Sequence, residues 1–147
     1  MIKLYLAHPI SLNNAEKIIS YFDDVTLSLK NWYNILSPMY EKEYLRIEKS
    51  LRSEGYENPI ICNHAIFERD LWMVKNCEVL LCDFTGSSTA SIGCCMELAV
   101  ASWLHKHTVV VLPEDNIHNH AFIKEAADVI FTTLDDAITY LKKIAIN

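Results

Sequence analysis

Glycine is scarce in this chain: three residues in 147, at positions 55, 86 and 93. With so few, no glycine-rich dinucleotide fingerprint forms, and the Gly-Lys-Ser/Thr ending of a Walker loop is missing. No apolar run reaches the length needed to span a bilayer. Repeats, low-complexity tracts and linkers are absent from the pattern. The five cysteines (Cys62, Cys77, Cys82, Cys94 and Cys95) are odd in number, and their spacing fits neither a disulfide framework nor a zinc site. They read as small buried hydrophobes in a reducing compartment. No signal peptide is visible, because Met1-Ile2-Lys3-Leu4-Tyr5 enters a strand-like run directly. The expected location is cytoplasmic.

What the chain does have is ordinary for a globular protein. Apolar residues make up 51% and charged residues 22%, and 147 residues suffice for one domain with a sizeable core. A formal net charge of −6 argues against nucleic-acid polymers and anionic membranes as partners. Small phosphorylated molecules stay compatible with it, since local dipoles and hydrogen bonds can hold them.

Short apolar runs alternate with helical periodicity along the chain. Ile2 to Ala7 predicts a first buried strand, ended by His8-Pro9. Capping residues at 11–16 precede Ile18, Ile19, Phe22, Val25, Leu29 and Trp32 at helical spacing. Ile35-Leu36 predicts a second strand, stopped at Pro38. The charged stretch of about 40–58 reads as a solvent-facing helical insertion, a lid or a subunit contact. Asn63 to Asn76 predicts a helix with Ile66, Phe67, Leu71 and Val74 on its apolar stripe. Strands at Val79 to Asp83, Thr108 to Leu112 and Val129 to Phe131 then alternate with helices at Ser91 to Leu104, Ala121 to Ala126 and Leu134 to Ile144. The expected architecture is a Rossmann-like (flavodoxin-like) α/β fold, a doubly wound parallel five-stranded sheet with helices on both faces.

One residue breaks the pattern. Glu97 is the only charged residue between Phe84 and Leu104, and its helical neighbours are Gly93, Cys94, Val100 and Ala101. A carboxylate there forfeits hydration, which favours a paired or chemically employed acid over a surface glutamate. Asp70 shares a face with Ile66, Phe67 and Val74 and is the second candidate acid, while Glu68 and Arg69 read as solvated charges or ion-pair partners. Tyr5 can orient a carboxylate through its hydroxyl or simply fill core. The turn after the first strand offers Ala7, His8 and Ser11. The loop Asp83 to Ser91, with Gly86, Ser87 and Ser88, places hydroxyls and free N–H groups ahead of a helix as a natural anion cradle. Ser91 can also be the plain N-cap. The run His118-Asn119-His120 reads first as a surface loop before a capped helix.

Taken together, Glu68-Arg69-Asp70-Leu71 and the Ser91-x-Gly93-x-x-x-Glu97-Leu98 spacing resemble the nucleoside 2-deoxyribosyltransferase superfamily. They look closest to its nucleotide-hydrolysing branch of 2′-deoxynucleoside 5′-phosphate and cytidylate N-hydrolases. Leu4-Tyr5-Leu6-Ala7 and His120-Ala121-Phe122-Ile123 fall in family order. The resemblance implies that Glu97 is the nucleophile at the anomeric carbon, that Asp70 assists at the leaving base, and that Tyr5 holds Glu97. It also implies a phosphate contact from Ser91, further substrate contacts from Ala7, His8, Ser11, Asp83, Ser87, Ser88, Gly93, Asn119 and His120, no metal or organic cofactor, and a homodimer whose subunits share sites. The chain departs from the hydrolases by carrying His8-Pro9-Ile10-Ser11 where they have a Gly-Ser-x-Arg turn. A transferase acting on free deoxynucleosides and a non-catalytic nucleotide sensor are the rival readings.

Overall fold

The computed structural model describes residues 1–10, 14–40, 42 and 59–145. Ser11 and most of the charged stretch of about 40–58 lie outside the described residues. The strands are β1 (Lys3–Ala7), β2 (Asn34–Leu36), β3 (Val79–Asp83), β4 (His107–Val111) and β5 (Val129–Phe131). The helices are α1 (Ala15–Leu29), α2 (Asn63–Asn76), α3 (Ile92–Trp103), α4 (Ala121–Glu125) and α5 (Leu134–Ile144).

All strand pairings are parallel, in the order β2-β1-β3-β4-β5. The sheet separates two cores, and strand alternation sorts the side chains between them. Leu4, Leu6, Val79, Leu81, Val109 and Val111 face the layer holding Ile18, Phe22 and Leu29 of α1 with Ala137 and Leu141 of α5. Tyr5, Ala7, Leu80, Cys82, Val110 and Leu112 face the layer holding Met73 and Val74 of α2 with Cys94, Leu98 and Ala101 of α3. Strands covered on both faces need apolar residues at every position, which is why they read as unbroken apolar runs.

Helix starts follow their caps. Asn14 accepts from the N–H groups of Glu16 and Lys17, Ser91 from Cys94, and Thr133 from Asp136. Three expectations are corrected. Helix α1 stops at Leu29 rather than running to Trp32, because Trp32 and Tyr33 both donate to the Leu29 carbonyl and turn the chain into β2. Phe67 is exposed, because α2 buries its Asp70, Met73 and Val74 side and leaves the Phe67 side outward. Lys42, read as part of a solvated stretch, is 7% exposed.

The chain leaves β1 for β2 on one side of the sheet and reaches β3 on the other. The crevice beyond the C-terminal ends of β1 and β3 is therefore the switch point at which such sheets bind ligands. Across it, His8 Nδ1 lies 2.9 Å from the Asp83 carbonyl oxygen.

Candidate active site

Tyr5 and Glu97 meet on the α2/α3 side of the sheet. The Tyr5 hydroxyl, on a fully buried side chain, donates to Glu97 Oε1 at 2.7 Å. Desolvation raises the Tyr5 phenol well above its ordinary value, and the neighbouring Glu97 raises it further, so tyrosine stays a donor. Glu97 stands half-buried in the second turn of α3. Desolvation pushes its carboxyl up to about 8, reinforced by Asp70 and opposed by the Tyr5 hydrogen bond and by Lys42.

Asp70 is 8% exposed on α2 and faces two cations. Arg69 Nε and Nη2 donate to Asp70 Oδ1 at 3.2 and 3.1 Å, and Lys42 Nζ lies 4.0 Å from Oδ2. Burial raises the Asp70 carboxyl, and the two cations pull against that rise. Arg69 is thus the ion-pair partner of Asp70, one of the two roles its sequence context allowed. Two acids and two cations gathered on one side of the sheet make a cluster able to present a carboxylate to an electrophilic carbon and to move a proton beside it.

The loop between β3 and α3 is internally braced. Asp83 is fully buried, and its Oδ1 accepts from both the N–H and the hydroxyl of Thr85, which fixes an Asx turn. Gly86 completes the turn at φ +73, where a side chain would be strained. Ser87 Oγ is buried and has no hydrogen-bond partner among the described residues. Ser88 is exposed, and Gly93 lies exposed in the first turn of α3 with open space at its Cβ position.

Ser91 caps α3, its Oγ accepting from Cys94 N at 3.4 Å, while its own N–H donates to His118 Nε2 at 2.7 Å. Since a backbone N–H can only donate, His118 Nε2 must be unprotonated, so the proton is on Nδ1 and points to Asn116 Oδ1 at 2.9 Å. Asn116 Nδ2 in turn donates to the Phe84 carbonyl at 2.7 Å, and the His118 ring stacks on Phe84 at 4.1 Å. The β4–α4 loop thereby clamps both ends of the β3–α3 loop.

His118 is 3% exposed and does not belong to a surface loop, which corrects the first reading of that run. Asn119 and His120 are exposed; Asn119 donates to the Glu114 carbonyl and His120 caps α4. Both serve their own loop rather than the Glu97 cluster. At the first turn, Ala7 is buried and His8 stacks on Tyr21 at 3.7 Å. Burial lowers the His8 imidazole despite the opposing pull of Asp83, which makes it a neutral group that donates from Nδ1 to the Asp83 carbonyl. Sequence reasoning missed Lys42, Asn116 and the role of His118. A lysine within a charged run and a histidine within a polar loop carry no local sign of burial, so no signal in the sequence marked them.

No family model matches the chain, and no curated protein matches it. Solved structures do. A 2-deoxyribosyltransferase from Leishmania mexicana superposes with a TM-score of 0.68 at 16% identity, covering 97% of this chain and 98% of that one. A conserved protein from Enterococcus faecalis gives 0.63 at 15% identity, over 98% and 99% of the two chains. The CMP N-glycosidase BcmB of Clostridium botulinum gives 0.57 at 15% identity, over 99% of both. The chain shares their fold.

Proposed function

We propose that the chain, acting as a single 1–147 domain, cleaves the N-glycosidic bond of a nucleoside 5′-monophosphate through a covalent intermediate on Glu97. The observation that carries this reading is the hydrogen bond from Tyr5 to a half-buried Glu97 near a second, cation-held acid. It gains support from structural neighbours whose names denote N-glycosidic cleavage of CMP and transfer of a deoxyribosyl group.

In this mechanism a Glu97 oxygen attacks the anomeric carbon while the bond from that carbon to the base nitrogen breaks. The base departs with the bonding electrons and takes up a proton from solvent, leaving Asp70 ionised beside it. Water then attacks the same carbon, Asp70 accepts its proton, and the Glu97 carboxylate is released with free sugar phosphate as product. Ser91 and the hydroxyls of Ser87 and Ser88 supply the phosphate contacts, and the sugar lies along the exposed first turn of α3 at Gly93; Ala7 and Asp83, expected to touch substrate, are buried and act only as the floor beneath it. The carboxylates supply the covalent and proton-transfer chemistry without a metal or organic cofactor.

A homodimer with shared sites fits the surface. Ile92, Met96 and Trp103 recur along one side of α3 and are 73%, 44% and 84% exposed, with Phe67 and Trp72 on the neighbouring α2 and Phe122 on α4 also exposed. A second copy would cover these residues and bring its own Asn119 and His120 toward the crevice.

A second reading, base exchange on free 2′-deoxynucleosides, is favoured by one observation: the β1 turn presents a neutral His8 where a phosphate would want a cation. Base release from ribo- and deoxynucleosides and their 5′-monophosphates, followed by chromatography, separates the two. Turnover of monophosphates in water, abolished in Glu97→Ala, is the expected result. Turnover only of free deoxynucleosides with an added acceptor base would establish the transferase, and silence across the panel would leave a sensor.

A further inference from the structure

Lys42 is the least expected member of the crevice. Lysine is seldom buried, and taking an ammonium out of water costs several kcal/mol unless a partner compensates. Here the burial is built in. Past β2 the chain makes a tight turn in which Met39 N donates to Ser37 Oγ at 3.2 Å and Tyr40 N to the Ser37 carbonyl at 3.2 Å. Lys42 N then donates to the Met39 carbonyl at 3.0 Å. Arg69 Nη2 approaches the Pro38 carbonyl at 3.5 Å, joining this turn to α2. The turn delivers the lysine to the Oδ2 edge of Asp70, opposite the edge occupied by Arg69.

If neutralising Asp70 were the whole purpose, Arg69 would suffice, since both of its donors already reach Oδ1. A second buried cation on the other oxygen exceeds that need. Lys42 also lies within electrostatic reach of Glu97 as well as Asp70. The groups facing this cluster are Tyr5 from β1, Asp70 and Arg69 from α2, and Glu97 and Cys94 from α3.

We infer that Lys42 is a positioning residue of the active site: its buried ammonium is the shared counter-charge that lets Asp70 and Glu97 carry negative charge together in one crevice. This rests on the proposed function for its catalytic meaning, and the charge coupling itself stands independently of that reading. Burial lowers the Lys42 ammonium and Asp70 opposes that fall, just as Lys42 opposes the burial-driven rise of Asp70 and Glu97, so the coupling is reciprocal.

The test compares wild type with Lys42→Met and Lys42→Arg, following side-chain carboxyl carbons of Asp70 and Glu97 by NMR across pH, with base release measured in parallel. Losing the ammonium disfavours both carboxylates, so in Lys42→Met both titrations are expected to move up by about one pH unit or more, whereas Lys42→Arg stays near wild type. The acid limb of kcat/KM moves with them, a loss of roughly tenfold at pH 7 that is recovered at higher pH. A purely structural lysine would instead lower activity at every pH. Unchanged carboxyl titrations in a folded Lys42→Met protein would overturn the inference. Should that variant not fold, Asp70→Asn supplies the reverse measurement: the Lys42 ammonium must titrate at lower pH than in wild type, and an unmoved titration overturns the inference equally. Inactivity of wild type on every substrate would sink the functional reading while leaving the titrations to decide the role of Lys42.

Discussion

Tyr5 and Glu97 lie 92 positions apart in the chain and are joined by a 2.7 Å hydrogen bond in which the phenol donates. The donor favours the charged carboxylate, and everything else about the location except Lys42 disfavours it. In Tyr5→Phe the Glu97 carboxyl should therefore titrate above its present value of about 8. The acid limb of the kcat/KM profile shifts to higher pH, with a loss of roughly tenfold at pH 7 and substantial recovery near pH 9. A pH–rate profile checks this; a loss that is uniform across pH would refute it.

The same carboxyl weakens the fold as pH rises. Its folded-state value of about 8 lies above the ordinary 4.5, so the folded protein holds this proton more tightly than the unfolded chain does. Its contribution is fully present below about 4.5 and is lost as pH climbs through 8. Glu97→Gln keeps the shape and removes the titration. Urea unfolding should find the variant more stable than wild type by about 1 kcal/mol or more at pH 8 to 9, and little different at pH 4.

His118 titrates with the opposite sign. Burial lowers its imidazole below the ordinary 6.5, and its Nε2 must be unprotonated to accept the Ser91 N–H. Stability from this contact is present above about 6.5 and drains away as pH falls through the lower folded-state value. His118→Ala leaves the Ser91 N–H without its partner and removes the ring's bond to Asn116 Oδ1, and should cost about 1–3 kcal/mol at pH 7. That difference should narrow at pH 5, below the ordinary 6.5, because the unfolded chain then binds a proton that the folded ring resists; denaturant titrations at the two pH values measure it.

Self-association should depend on the outer side of α3. If a second copy covers this face, Trp103→Asp, which places a charge on the most exposed of its apolar residues, should shift the sedimentation of the protein from dimer to monomer. If the subunits share sites, base release should fall in parallel.

Much of the fold was legible because the strands are covered on both faces. Runs such as Val79-Leu80-Leu81-Cys82 and Val109-Val110-Val111 leave no polar position to confuse the reading. Glu97 was legible for the related reason that a lone charge in an apolar helix is conspicuous. Asp70 emerged as buried, although Phe67, used to orient its face, turned out exposed. Lys42 and His118 could not be read, since their burial comes from contacts with residues 28 and 27 positions away rather than from their neighbours. Local composition describes the company a residue keeps in the chain, and these two are defined by company from elsewhere.

Strand alternation assigns Tyr5 and Leu4 to opposite cores, and this makes the parity of β1 a chemical matter. Losing one residue ahead of Tyr5 within the strand would turn the phenol toward α1, away from Glu97, and put a leucine in its place. A change of one residue between Gly86 and Ala90 moves the Ser87 and Ser88 hydroxyls but carries no parity penalty, because a loop has no alternating faces to exchange. Length variation that reshapes what the crevice accepts can accumulate in the loop, while the spacing inside the strand must stay even for the carboxylate to keep its donor.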